Sequence, residues 1–415
     1  MRAWVRKFTR DCENTYAMNS NKELKERGDK VFVGTYSRYP AAMVKGSGCR
    51  LTDADGRQYL DFMAGIAVCA LGHAHPKITE AICRQAGELV HVSNLYYTLP
   101  QIELAETIIA HSFGEKLFLC NSGAEANEAA IKLARIYSAA ERYKIISLSG
   151  SFHGRTLATV AATGQPKFHK GFQPLPEGFL HAPFGDLLAL EEMIDSSTCA
   201  ILCEPLQGEG GVRPLAKEYL QGIQALCKKH GLLLIFDEVQ TGMGRTGSLF
   251  AYEQLGIQPD ILTMAKALAN GLPIGGMLTS EKIAAAFVPG THASTFGGNP
   301  VACAAAVATL KIILADGFLA DVMQKGAYFQ AELRKLAQRF PALLSSARGM
   351  GLLVGAVLTE QGVAHGTAIV NKMFDRGFLM NFAGNVALRF VPPLIVTKEE
   401  IDLLVAALAE VLAEF

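Results

Sequence analysis

Two charged residues stand where apolar runs stop. Asp237 lies near the end of Gly231-Leu-Leu-Leu-Ile-Phe-Asp-Glu-Val-Gln240, and Lys266, 29 positions later (266 − 237), closes Asp260-Ile-Leu-Thr-Met-Ala-Lys266. Both runs read as buried strands, so both charges fall at C-terminal strand ends, the edge of an open parallel sheet where ligands bind. Taken singly, the carboxylate serves as readily to cap a helix and the ammonium as a snorkelling surface group. Together they offer an amine for a Schiff base and an anion that keeps a pyridine nitrogen protonated, which is what pyridoxal phosphate requires.

Two further segments supply the rest of such a site. In Phe118-Leu-Cys-Asn-Ser122-Gly123-Ala124, continuing through Glu125 to Arg135, a strand turns through small residues into a helix. Free N–H groups and the positive end of the helix dipole make that turn suited to a phosphate, although many strand-to-helix junctions look alike. Ser149-Gly-Ser-Phe152-His153-Gly154-Arg155-Thr156 follows a strand ending at Leu148. It offers an aromatic face to stack on a planar ring and a guanidinium for a carboxylate, and by itself reads equally as a surface loop with a structural Arg.

The elements that must position these groups alternate. Apolar runs at 117–120, 145–148, 200–203, 232–236 and 261–264 are separated by helical stretches such as 125–135 and 217–229. This pattern predicts an α/β fold with a large, mostly parallel sheet covered by helices on both faces. Thr52-Asp-Ala-Asp-Gly56 is a turn between two extended pieces. At the other end Thr397 and Glu400 form a capping box ahead of Ile401, Leu404, Val405, Leu408, Val411 and Leu412. Both chain ends are therefore assigned to one smaller α+β domain, 1–70 with 311–415, around a large cofactor-binding domain at 71–310.

Composition narrows the function. The 415 residues suit one large domain with a companion. With 39 basic and 39 acidic residues there is no general attraction to nucleic acid or an anionic membrane. No stretch approaches the roughly 20 apolar residues of a membrane span, and the start lacks a secretory apolar block, so a cytoplasmic enzyme is expected. The 9 Cys, odd in number and without a C-x-x-C, read as core thiols in a reducing compartment. Residues 1–20, with Arg2, Arg6, Lys7 and Arg10, fit no pattern and read as an extension, with Met18 an alternative start.

Two motifs are set aside. Gly242-Met-Gly244-Arg-Thr-Gly247 is a literal G-x-G-x-x-G, but it does not open a helix directly from its strand, as a dinucleotide site requires. His73 and His75 lie in a turn marked by Gly72 and Pro76 with no convergent carboxylate expected, so no metal site is expected.

In order and spacing these segments resemble the class III, or ornithine-type, aminotransferases of the fold-type I pyridoxal-phosphate enzymes. The likeness runs from about Tyr36 to the C-terminus and includes Glu204-Pro-Leu-Gln-Gly-Glu209-Gly-Gly, Ser294-Thr295-Phe-Gly-Gly-Asn-Pro and Leu388-Arg389-Phe-Val-Pro-Pro-Leu. It implies that Lys266 carries the cofactor, Asp237 pairs with the ring nitrogen, Val239 and Phe152 sandwich the ring, and Gln240 contacts its hydroxyl. Ser122, Gly123 and Ala124 would hold the phosphate, with Thr295 reaching in from the second subunit of a homodimer. Arg155 and Ser294 would bind substrate, and Glu209 would neutralise Arg389 until 2-oxoglutarate arrives. Phe152-His-Gly-Arg-Thr leading to Ala161-Ala-Thr-Gly-Gln-Pro-Lys167 is most similar to the branch acting on N-acetylornithine in arginine biosynthesis. Ile66 stands where the free-ornithine branch resembles itself in carrying Tyr. Succinylornithine, acetyl-lysine-type, ornithine and 4-aminobutyrate donors stay open, as does a non-catalytic, cofactor-less member, against which Lys266 and Asp237 both speak.

Overall fold

The computed structural model describes residues 19–415, so the basic run at the start and Met18 lie outside the described residues. Seven strands form the main sheet in the order Lys116–Cys120, Gly275–Thr279, Ile261–Met264, Leu233–Asp237, Thr198–Cys203, Lys144–Leu148 and Phe179–Ala182. Five of them sit at the predicted apolar runs. Neighbouring pairs are parallel except at Gly275–Thr279, which runs antiparallel to both its neighbours. That strand escapes the apolar pattern because two glycines open it. Gly275 is required there, since a Cβ would lie 2.4 Å from the Ser122 carbonyl oxygen.

Helices Gly123–Tyr137 and Lys217–His230 cover the sheet, with Ile131, Leu133, Leu220 and Ile223 buried. Ile146, Ile201, Leu234, Phe236 and Leu262 fill the core at 1% exposure or less. Each such side chain contributes roughly 1.5–3 kcal/mol through burial, which fixes the strand ends that carry the site.

The chain ends meet. Phe378–Leu379 adds in parallel to Gln58–Asp61, completing the sheet begun by Met43–Ser47 and Arg50–Asp53. A second small sheet orders Leu344–Met350, Leu353–Leu358, Ala387–Phe390 and Asn381–Ala383. Helix Lys398–Leu412 has the expected Thr397–Glu400 capping box and buries the expected face, with Val405 half-buried. The early helix Asn21–Val31, capped by Ser20 and Glu23 and burying none of its residues, is not signalled by apolar periodicity.

His73 departs from expectation. Its Nε2 lies 2.7 Å from Oδ2 of the buried Asp61, whose Oδ1 accepts the N–H groups of Met63 and Ala64. The hydrogen bond to Asp61 lifts the imidazole pKa to about 9. A carboxylate does converge on this turn, then, from the preceding strand. Among the described residues no group of three or more His, Cys, Asp or Glu gathers as metal ligands, and no single helix is long and apolar enough to cross a membrane. Gly242–Gly247 stays in turns with no helix before Ala251–Leu255, and its fully buried Arg245 donates to the Leu352 and Pro392 carbonyls instead.

Candidate active site

The C-terminal ends of the central strands open into a cavity of about 390 Å³. Ser122, Gly123, Ala124, Phe152, Arg155, Glu209, Asp237, Val239, Gln240 and Lys266 all line it, so segments up to 144 residues apart (266 − 122) meet here.

At one end helix Gly123–Tyr137 begins, with Ser122 as its cap accepting the Glu125 N–H. A Cβ on Gly123 would stand 2.6 Å from Val239 Cγ1, so only glycine lets this helix start close against the Asp237 turn. The result is a small-residue cradle under the positive end of a helix dipole.

Asp237 is held from three sides. Its Oδ2 accepts from Asn127 Nδ2 at 2.7 Å and faces His153 Nδ1 at 2.8 Å, while Oδ1 accepts the Val239 N–H at 3.0 Å. A carboxylate can only accept here, so His153 is protonated at Nδ1. Its Nε2 is buried without a partner among the described residues. Asn127 is fixed in turn by the Thr263 hydroxyl at 2.8 Å.

Lys266 follows strand Ile261–Met264 with φ +45, a strained backbone that places its side chain in the cavity. Burial pulls its amine pKa below the usual lysine value, against the opposing pull of Glu209 and with the help of Arg389. Nearby, Glu204 is buried and accepts the N–H groups of Phe152 at 3.0 Å and Gly208 at 3.4 Å. Burial and then Asp237 drive its pKa well up.

Arg389 is fully buried just behind the wall. Its Nη1 lies 2.6 Å from Glu209 Oε1 and 3.3 Å from Gln240 Oε1, and Nε donates to Asn381. Burial works to raise the Glu209 pKa, but the adjacent guanidinium outweighs it and the net shift is downward. Gln240, expected only at the ring hydroxyl, thus also touches this pair.

Arg155 is exposed at the mouth, its Cζ 5.5 Å from the Phe152 ring centre and 4.1 Å from that of Phe168. Ser294 and Thr295 do not line this cavity. They border another of about 590 Å³, and Asn121, which lines the first cavity, reaches the Ser294 hydroxyl with its Nδ2 at 3.2 Å. Ile66 does not line the main cavity either, whereas Val68 does. Four successive positive φ angles, at Ala64, Gly65, Ile66 and Ala67, leave the Ile66 side chain 45% exposed. His153, Asn127, Glu204 and Asn121 are the functional candidates that the sequence reading left without roles. Each is a polar residue inside one of the segments named above, and that place is the signal it gives.

A family model described as Aminotransferase class-III matches residues 33–412. The chain belongs to the class-III aminotransferases. It is a pyridoxal-phosphate-dependent transaminase of fold type I. An acetylornithine aminotransferase of Caldanaerobacter subterraneus subsp. tengcongensis is 51% identical over 389 residues, covering 93% of this chain and 98% of that one. One from Methanocaldococcus jannaschii is 49% identical over 391 residues, with 93% and 96% covered. Among solved structures, the ornithine aminotransferase of Toxoplasma gondii superposes with a TM-score of 0.92 at 30% identity, covering 97% of each chain. The N-acetylornithine aminotransferase of Stenotrophomonas maltophilia does so with a TM-score of 0.80 at 36% identity, covering 94% of this chain and 98% of that one.

The residues present fit the class-III cofactor. Gly123 lets the helix start close against Val239, so its small-residue N-terminus lines the cavity, and Asp237 has two donors on one oxygen and one on the other, so it is fixed in place. A lysine whose amine is biased toward the neutral form stands in the same cavity.

Proposed function

We propose that this transaminase moves the distal amino group of N-acetyl-L-ornithine to 2-oxoglutarate, giving N-acetylglutamate 5-semialdehyde and glutamate, a step of arginine biosynthesis. The observation that carries the reading is identity of about half, over more than nine-tenths of the chain, to acetylornithine aminotransferases from a bacterium and an archaeon.

Pyridoxal phosphate, when bound, supplies the electron sink that lets a carbon–hydrogen bond beside nitrogen ionise. The chain's residues do the rest. Lys266 Nζ provides the attaching amine and, once displaced, is the base that takes and returns a proton at the substrate carbon. Asp237, oriented by His153 and Asn127, holds a proton on the ring nitrogen. Ser122, Gly123 and Ala124 bind phosphate, Phe152 and Val239 confine the ring, and Gln240 meets its hydroxyl.

The two substrates pose a problem of orientation, because the donor reacts far from its carboxylate and 2-oxoglutarate reacts beside one. Arg155 binds the distant carboxylate in both cases, with Ser294 assisting the donor. Arg389 stays neutralised by Glu209 while the donor is present, so it cannot capture the donor's carboxylate and present the wrong end. When 2-oxoglutarate arrives, Glu209 swings away and Arg389 binds the carboxylate next to the keto group.

A homodimer in which Thr295 completes the partner's phosphate site fits the surface. Leu95, Tyr96, Tyr97, Leu99 and Phe296 are 61–93% exposed, an apolar patch of the kind that marks an interface, and Thr295 is exposed beside it. The eight described cysteines are free thiols, in keeping with a cytoplasmic setting.

A donor panel with 2-oxoglutarate as acceptor tests the assignment. N-acetylornithine should give a higher kcat/KM than ornithine or 4-aminobutyrate, because the discrimination lies in transition-state binding. Equal values for ornithine and its acetylated form would move the protein to the ornithine branch.

A further inference from the structure

Behind the loop that carries Glu209 lies a separate cavity of about 440 Å³, bordered by Gly150, Gly210, Arg213, Arg348 and Gly384. Two half-buried guanidinium groups face it, and among the described residues no carboxylate pairs with either. Burial depresses the pKa of both, and Arg348 is depressed further by Arg213 itself. Arg348 Nε, a buried donor, lacks a hydrogen-bond partner among the described residues. Arg213 Nη1 reaches over Gly150, 3.4 Å from the point its Cβ would occupy. The Phe184 ring supports Arg213 from the other side, 3.8 Å from its Cζ. Two cations that share a small cavity repel each other unless an anion lies between them.

The position of this cavity links it to the catalytic one. Arg348 pairs with Gly355 and Gly355 with Arg389 on three adjacent strands, so both arginines rise from one row on one face of the sheet. Residues 209–213 lie across that row. Glu209 contacts Arg389, the Gly211 carbonyl accepts from Arg348 Nη2 at 2.8 Å, and Val212 sits where a Gly355 Cβ would meet it at 2.9 Å. An anion that engages Arg348 competes with the Gly211 carbonyl, and so acts on the short loop that aims Glu209.

We propose that Arg213 and Arg348 form a second oxyanion site, for a small phosphate or carboxylate, coupled to the Glu209–Arg389 pair through residues 209–213. The coupling rests on the gate reading above, and the binding site does not. Calorimetric titration of the holoenzyme with inorganic phosphate, at ionic strength held constant with sodium chloride, tests the site. Binding should saturate, weaken at least tenfold in Arg213→Gln, and survive in Arg155→Gln, which disturbs the substrate cavity instead. Heat that does not saturate, an unchanged affinity in Arg213→Gln, or loss in Arg155→Gln alone overturns the site. The coupling is read from single-turnover reaction with 2-oxoglutarate, whose rate phosphate should alter at least twofold in the wild type and not in Arg213→Gln. A saturating isotherm with unaltered rates would keep the site and overturn its coupling.

Discussion

Asp237 and Glu209 both border the catalytic cavity and both meet a nitrogen partner, but they are built in opposite ways. Asp237 is 4% exposed, and its partners come from a helix, a loop and its own turn, so moving it would break three hydrogen bonds at once. Glu209 has one ion-pair partner among the described residues, Arg389, a side chain 30% exposed, and glycines at 208, 210 and 211 around it. Gly211 takes φ +100, a conformation that other residues rarely adopt. On the proposed function, charge that persists throughout the reaction is locked by convergent donors. On the proposed function, charge that leaves at one stage is held by an ion pair from a loop whose glycines pack closely against Gln240, Gly150 and Val386.

Variants should separate these two designs, and the largest effect belongs to the residue that both of them serve. Lys266→Ala should abolish turnover and the borohydride-trapped cofactor adduct, and a labelled peptide centred on another lysine would refute the assignment. Next, Asp237→Asn should fold but slow both half-reactions alike, by roughly 10²–10³ or more, the general scale for losing a preorganised electrostatic partner in a dry site. Near-normal single-turnover rates in that variant would end the claim that a fixed charge is needed there.

The ion-paired half of the comparison predicts asymmetry instead. Arg389→Ala should impair mainly the reaction with 2-oxoglutarate, Arg155→Ala should impair both halves, and Glu209→Ala should gain α-amino transfer from simple amino acids. An Arg389 variant equally damaged in both halves would show that the pair does not act as a gate.

The locked centre was the more legible of the two, but only at its ends. Asp237 and Lys266 stand out as a pair, because opposite charges closing two apolar runs share an explanation that neither has singly, and the parallel strands beneath them follow from the same runs. The residues that hold Asp237 did not stand out, since Asn127 and His153 lie 110 and 84 positions away and become partners only once the sheet brings them together. Glu204 opens the segment 204–211 without announcing a role, because hydrogen bonds to main-chain N–H groups leave no trace in residue type. Strand Gly275–Thr279 leaves no apolar signature for a related reason, since Gly275 is dictated by the neighbouring Ser122 carbonyl rather than by strand propensity. The Ile66 backbone, left-handed at a β-branched residue, contradicts local preference altogether.

The smallest expected effect concerns stability and tests whether Glu209 is held only by its ion pair. Burial disfavours its charge, the neighbouring Arg389 more than compensates, and the carboxyl titrates below its ordinary value of 4.5. A group whose pKa is lowered on folding stabilises the native state fully above its unfolded value, and that contribution disappears as pH falls through the folded one. The difference in unfolding free energy between wild type and Glu209→Gln should therefore be constant from neutrality down to about pH 4.5 and shrink below it. Its size should be about 1 kcal/mol, since a pair with one partly exposed member gains little net energy. Urea unfolding of both proteins near neutrality and at about pH 3 measures this. A difference that grows on acidification would mean that Glu209 is held protonated in the native state, and a gate that works by neutralising Arg389 could not then operate.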